Sequence, residues 1–154
     1  MAEIFVSDTT PIIEYFSKVF EKFDVLDKPT CTLSQYTISI LDSVIHDHFT
    51  SPYRMTICSV TFIEIFEKWL RQDEDCARFY YDVFIPIKES PNIEIRGIDK
   101  EILENFVKIG NGIVKEHDKI ILATAISLEA PLIAKDNEIA DYQIKNKVIP
   151  KLIW

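Results

Sequence analysis

Glu3-Ile4-Phe5-Val6-Ser7-Asp8-Thr9-Thr10-Pro11-Ile12-Ile13 is the stretch on which the fold turns. Residues 3–7 read as a short strand. Pro11 suits the first turn of a helix, with Thr10 as its N-cap. Ile12, Ile13, Phe16, Val19, Phe20 and Phe23 then follow at helical spacing. A strand passing directly into a helix, with an Asp at the junction, is the pattern to look for in the rest of the chain.

It recurs. After a connection from Asp24 to Thr32, Tyr36 to Phe49 carries a helical stripe that Ser51-Pro52 ends; Thr37 to Leu41 alone also reads as a strand, and the length of the pattern favours the helix. Met55 to Val60 reads as a buried strand, and Phe62, Ile65, Phe66, Trp69 and Leu70 as an amphipathic helix. Another helix begins at Asp73 and is expected to end before Pro86. Asn92 to Arg96 reads as a short strand. The helix marked by Ile102, Leu103, Phe106, Val107 and Ile109 stops at Gly110-Asn111-Gly112. Asp118 opens a helix through Ala130, Pro131 to Lys135 is a strand, and Asn137 to Gln143 a short helix. Val148 to Trp154 can pair as an edge strand. Alternating strands and helices predict an α/β fold with a central parallel sheet covered by helices on both faces. No repeat or boundary divides the 154 residues, so one domain spanning 1–154 is expected.

Composition narrows the class. Hydrophobic residues make up 47% and charged residues 27%, as in an ordinary globular protein. No apolar stretch is long enough to span a bilayer, and the N-terminus lacks the features of a signal peptide, so no membrane role is expected. The three cysteines, Cys31, Cys58 and Cys76, share no metal-type spacing and fit free thiols in a reducing cytoplasm. A net charge of −8 argues against a nucleic-acid partner, whose affinity comes from Lys and Arg on phosphates. Half of that charge belongs to four acids that have another use. Any nucleic-acid contact would fall on local patches such as Lys18 and Lys22, or Lys145, Lys147 and Lys151.

The four acids are Asp8, Glu64, Asp118 and Asp136. Each has an ordinary explanation. Asp8 can make a local turn bond. Thr61-x-x-Glu64 matches a capping box. Asp118 and Asp136 stand where N-cap residues belong. Together they suggest more, because functional groups in an open α/β fold gather beyond the carboxyl ends of the strands. Carboxylates packed there repel and raise one another's pKa unless a cation holds them. With no cationic partner in sequence reach and oxygen ligands alone, Mg²⁺ or Mn²⁺ is the expected ion. Such an ion activates water and stabilises a leaving oxygen in phosphodiester chemistry.

These segments resemble the PIN-domain ribonucleases over essentially the whole chain. Val6-Ser7-Asp8-Thr9-Thr10-Pro11-Ile12-Ile13-Glu14-Tyr15 resembles that family's strand-to-helix start, and Ile57-Cys58-Ser59-Val60-Thr61-Phe62-Ile63-Glu64-Ile65 its second strand and Glu-bearing helix. Asp118-Lys119-Ile120-Ile121-Leu122-Ala123-Thr124-Ala125 resembles the Asp-led helix, and Leu132-Ile133-Ala134-Lys135-Asp136-Asn137 the last acidic strand end. The resemblance implies that Asp8, Glu64, Asp118 and Asp136 are catalytic and metal-binding, with Thr9 or Thr10 supporting the first through a hydroxyl. It implies a Mg²⁺- or Mn²⁺-dependent endoribonuclease acting on RNA, of the VapC toxin type, held inactive by an antitoxin. A homodimer in the cytoplasm is expected. Ala134 departs from the Thr or Ser that the family often places before the last Asp. Asp42 competes with Asp8 for the first position; if it holds that role, the residues before it form an appended helix.

Other residues rank lower. His46 and His48 point apart on a helix. His117 adjoins Asp118 and can graze the site, and Glu14 lies one turn beyond Thr10. Asp141 reads as a solvated helix face. The aromatic set Phe62, Phe66, Trp69, Phe79 and Tyr80 reads as core, helix-pair face or in part a dimer surface. Glycine only at 97, 110 and 112 leaves no phosphate-cradling loop. The alternative function is a non-catalytic PIN-like binding module. A phosphatase with Asp8 as nucleophile ranks below it, because Thr10 stands where that chemistry wants a second acid.

Overall fold

The structure, a computed structural model, describes residues 2–47, 49–146 and 151–154. Its centre is a parallel sheet of β1 (Glu3–Ser7), β2 (Tyr53–Cys58), β3 (Ile93–Arg96), β4 (Leu132–Ile133) and β5 (Leu152–Ile153), in the order β3-β2-β1-β4-β5. β1 aligns Glu3 with Tyr53 and Ser7 with Ile57 on one side, and Val6 with Leu132 on the other. The chain first winds outward from β1 to β2 and β3, then crosses to β4. That reversal opens a crevice beyond the carboxyl ends of β1 and β4.

Alternation along the strands separates two cores. Phe5, Ile57 and Ile133 face one, and Val6, Cys58 and Leu132 the other. The first is covered by α1 (Thr9–Tyr15), α2 (Ser17–Phe20), α3 (Gln35–His46) and α5 (Asp73–Phe79), through Ile12, Phe20, Ile40 and Phe79. The second is covered by α7 (Lys100–Ile109), α8 (Glu116–Leu128) and α9 (Asn137–Asn146), through Ile102, Ile121 and Ile139. α4 (Ser59–Trp69) serves both, with Ile65 in the first and Val60 in the second. Helices thus cover both faces, as the alternating pattern predicts.

Several local expectations change. The first helix breaks at Phe16 into α1 and α2, and its N-cap is Asp8, not Thr10. The helix starting at Asp73 does not end before Pro86. A π turn over Tyr80–Phe84 joins α5 to α6 (Ile85–Glu89), so Pro86 sits inside a helical run. Proline offers no amide hydrogen to the preceding turn and crowds its carbonyl, and a widened turn accommodates both defects. α4 begins at Ser59, earlier than Phe62, which leaves Thr61 and Glu64 inside the helix and removes the capping box. The predicted stop at Gly110 is observed, with φ +54 there. β5 lies at the sheet edge beside β4. Its expected beginning at Val148, with Lys147 and His48, lies outside the described residues.

Candidate metal-binding site

All four acids border one open cleft of about 470 Å³ at the carboxyl edge of the sheet. Asp8 ends β1 and its amide donates to the Ile133 carbonyl at 3.0 Å, which ties it to β4 across the crevice. Asp136 lies three residues beyond the end of β4. Glu64 comes from the middle of α4, and Asp118 from the first turn of α8, the helix that leads into β4. Asp42 is far from this arrangement. It lies exposed on α3, where the Tyr15 hydroxyl donates to its carboxylate. Of the two candidates for the first acid, Asp8 follows β1 and borders the cleft, and Asp42 does neither.

The ordinary roles account for some of these acids and not others. Asp8 Oδ1 accepts from the Thr9 amide at 2.7 Å, as the N-cap of α1. Asp136 Oδ1 accepts from the Ile139 amide at 2.9 Å and caps α9. Glu64 caps nothing. Its Oε2 accepts from Thr9 Oγ1 at 3.0 Å, and its Oε1 pairs with Lys68 Nζ at 2.9 Å. Asp118 is not the N-cap of α8, because the helix starts at Glu116 with Lys115 before it. A carboxylate in that first turn gains from the helix dipole, though the dipole alone does not explain three further acids around it.

Electrostatics mark the cluster as crowded. The Asp8 pKa rises to about 7, first because the carboxyl is buried, then because Asp118, Glu64 and Asp136 oppose its charge; the Thr9 amide works against the shift. The Asp118 pKa rises to about 6, from burial first, then the Asp136 charge, with Lys115 opposing and a hydrogen bond to Asp136 assisting. Two acids whose ionisation is penalised by burial and, second, by their neighbours would gain from a cation between them.

The donor chemistry suits a hard divalent ion. Carboxylates from Asp8, Glu64, Asp118 and Asp136 and the Thr10 hydroxyl line the cleft beside Lys68, Lys115, Lys135 and His117, and Thr9 is placed to orient Glu64. With the side chains as they stand, no three His, Cys, Asp or Glu residues among those described close around one point. Asp8, Asp136 and Glu64 are each turned to a cap or an ion pair, so drawing in an ion means reorienting them.

The expectation that no cation reaches the acids is overturned at Glu64. Lys68, four residues on, lies along the same helix face and neutralises one oxygen. Its signal was present as Glu-x-x-x-Lys. Lys115 and Lys135 also border the cleft. Neither was anticipated beside the acids, although each is within three residues of one of them. His117 does graze the site, with Nδ1 3.4 Å from Glu64 Oε2. Thr10 lines the cleft, but the supporting hydroxyl bond comes from Thr9 and goes to Glu64, not Asp8. Ala134 is buried and offers no hydroxyl to Asp136. Glu14 turns away and accepts from the Thr32 amide and hydroxyl at 2.6 and 2.7 Å. No helix among the described residues is long and apolar enough to cross a membrane.

No protein-family sequence model and no curated sequence matches the chain. Solved structures do match in fold. A structure of VapBC2 from Rickettsia felis, bound to a DNA fragment from their promoter, superposes with a TM-score of 0.56 at 16% identity over 97% of this chain and 96% of that one. FitAcB from Neisseria gonorrhoeae gives 0.60 at 14% identity, with the same shares covered. VapBC-5 from Mycobacterium tuberculosis, a member of the VapBC family of toxin–antitoxin systems, gives 0.53 at 16% over 97% of each chain. At these identities the likeness concerns fold. It spans nearly the whole chain, and the fold is PIN-like.

Proposed function

We propose that this chain is a divalent-metal-dependent endoribonuclease, acting as the toxin of a toxin–antitoxin pair. One observation carries the reading: acids from four separate segments border one cleft, and two of them are held above the usual carboxylate range, by burial first and by the neighbouring acids second. The VapBC-type assemblies that share the fold support the toxin assignment and an antitoxin as partner.

Asp8, Glu64, Asp118 and Asp136 would hold Mg²⁺ or Mn²⁺. The bound ion supplies Lewis acidity that activates water and stabilises the leaving oxygen of a phosphodiester. The protein's own groups do the rest. Thr9 fixes the Glu64 carboxylate through its hydroxyl and the Asp8 carboxylate through its amide. Burial raises the Asp8 pKa to about 7, so without metal the carboxyl is partly protonated at neutral pH and binding an ion releases that proton. Lys68, Lys115 and Lys135 rim the acidic centre and attract the phosphates that the acids repel. The chain is expected to act in the cytoplasm as a homodimer.

The test is cleavage of RNA by purified protein with Mg²⁺ or Mn²⁺. Activity should vanish in EDTA and in Asp118→Asn. Full activity in either condition rules the proposal out.

A non-catalytic PIN-like binding module is the second reading. It is favoured by the Lys68–Glu64 pair, which already balances one acid, and by buried Ala134 in place of a hydroxyl. Absence of any thermal stabilisation by Mg²⁺ or Mn²⁺ would select it.

A further inference from the structure

The acidic cleft does not end at Glu64. It shares Thr10, Glu64 and Lys68 with a neighbouring groove, and that groove shares Lys68, Trp69 and Asp27 with a third depression that ends at Arg71. These three adjoining depressions, taken together as one channel, run from the acids along the last turn of α4. Lys68 stands at the junction of all three parts, with 64% of its side chain exposed. Trp69 is only partly buried. Its ring packs edge-on against Phe20, 5.4 Å between centroids, and its remaining surface lines both outer parts of the channel. Lys28 lies opposite, anchored by a 2.6 Å bond to the Phe23 carbonyl. Asp24 and Asp27 also border the outer part, so it is not a uniformly basic surface. Trp69 is five residues beyond Glu64, about 7.5 Å along the helix axis.

A cation followed immediately by a partly exposed indole matches one nucleotide: phosphate, then base. We propose that this channel seats the nucleotide next to the cleaved phosphate, with its unpaired base stacked on Trp69, its phosphate on Lys68 and the following phosphate near Arg71. This rests on the nuclease reading above and makes its substrate more specific. The RNA must be unpaired beside the cut, because a base inside a duplex has both faces already stacked. Stacking on an aromatic side chain tolerates any base, so the subsite selects single strands and not a sequence. Lys68, now paired with Glu64, would be free to meet the phosphate where a bound cation balanced that carboxylate.

The chain contains two tryptophans, Trp69 and Trp154, so Trp154→Phe leaves Trp69 as the sole emitter. In a Trp154→Phe, Asp118→Asn chain with Mg²⁺, a mixed-sequence single-stranded RNA should quench Trp69 emission. The same strand annealed to its complement should quench little. Lys68→Gln in this background, and Trp69→Leu followed by anisotropy of labelled RNA, should each weaken binding about tenfold or more. Lys68 is exposed, so its variant tests the idea even if Trp69→Leu folds poorly. Absence of quenching overturns the proposal. So does equal quenching by the duplex or by polyglutamate, or unchanged affinity in Lys68→Gln. Cleavage by the parent chain with unchanged affinity in the variants overturns the channel and leaves the nuclease standing. Trp69 quenching in a chain that never cleaves leaves a single-strand RNA groove and overturns the nuclease.

Discussion

Thr9 Oγ1 donates to Glu64 Oε2 at 3.0 Å, joining the first residue of α1 to the middle of α4 across 55 positions of sequence. Thr9 is buried, and its amide also holds Asp8. One residue therefore orients two acids from different elements.

Thr9→Val keeps the shape and the amide and removes only the hydroxyl. Folding stability should fall by about 1 kcal/mol. The Mg²⁺ concentration needed for half-maximal cleavage should rise roughly tenfold, since partners that orient a metal's ligands carry effects of that order. Thr9→Ser should restore both. A metal titration of Thr9→Val that overlays the parent curve would show that the bond orients nothing.

The raised acids predict how stability depends on pH. Below the ordinary value of 3.8, Asp8 is protonated in both folded and unfolded chains. Between there and about 7 the folded chain holds a proton that the unfolded chain has lost, so stability falls as pH rises. Asp118 adds the same sign up to about 6. In EDTA the Tm should drop from pH 5 to pH 8, and Asp8→Asn should flatten the slope. Added Mg²⁺ or Mn²⁺ should raise the Tm more at pH 8 than at pH 5, because protons compete for the same oxygens. A parent chain with no slope in EDTA contradicts this.

Asp136 has two separable tasks. Its Oδ1 caps α9, and an Asn side chain caps as well as an Asp. Asp136→Asn should therefore match or exceed the parent Tm in EDTA, while losing the stabilisation by metal. Asp136→Ala should lose about 1 kcal/mol without metal as well. Undiminished metal stabilisation in Asp136→Asn would reduce Asp136 to a cap.

Gly110 ends α7 at φ +54 and ψ −127, a conformation that side chains with a Cβ avoid. No neighbouring atom crowds the position, so the cost of Gly110→Ala is conformational. Urea titration should show a loss of roughly 1–3 kcal/mol with an unchanged m-value. RNA cleavage should persist below the new Tm. A neutral effect would mean that the turn has another conformation in solution.

Much of this was legible before the coordinates. The apolar runs of β1 and β2, and the helical stripes beginning at Ile12 and Phe62, are one-dimensional signals of burial, and the core reproduces them except at exposed Phe66. Gly110 announced its own helix end. Pro86 misled, because a proline implies a stop unless the preceding turn widens, and that depends on what packs against Tyr80–Phe84. Glu64 misled for a similar reason: Thr61-x-x-Glu64 has capping-box spacing, but burial of Val60 carries the helix back to Ser59.

The order of residues by itself determined the alternation of strands and helices and the placing of Asp8 and Asp136 shortly after strands, because periodicity and end signals act over a few neighbours. Which acids share a cleft, that Asp42 lies elsewhere, that Thr9 serves Glu64, and that Lys68 and Trp69 extend the cleft into a channel were decided only by tertiary structure. The strand order β3-β2-β1-β4-β5 brings these segments together. That order follows from how two separate cores pack on opposite faces of one sheet, which no local stretch encodes.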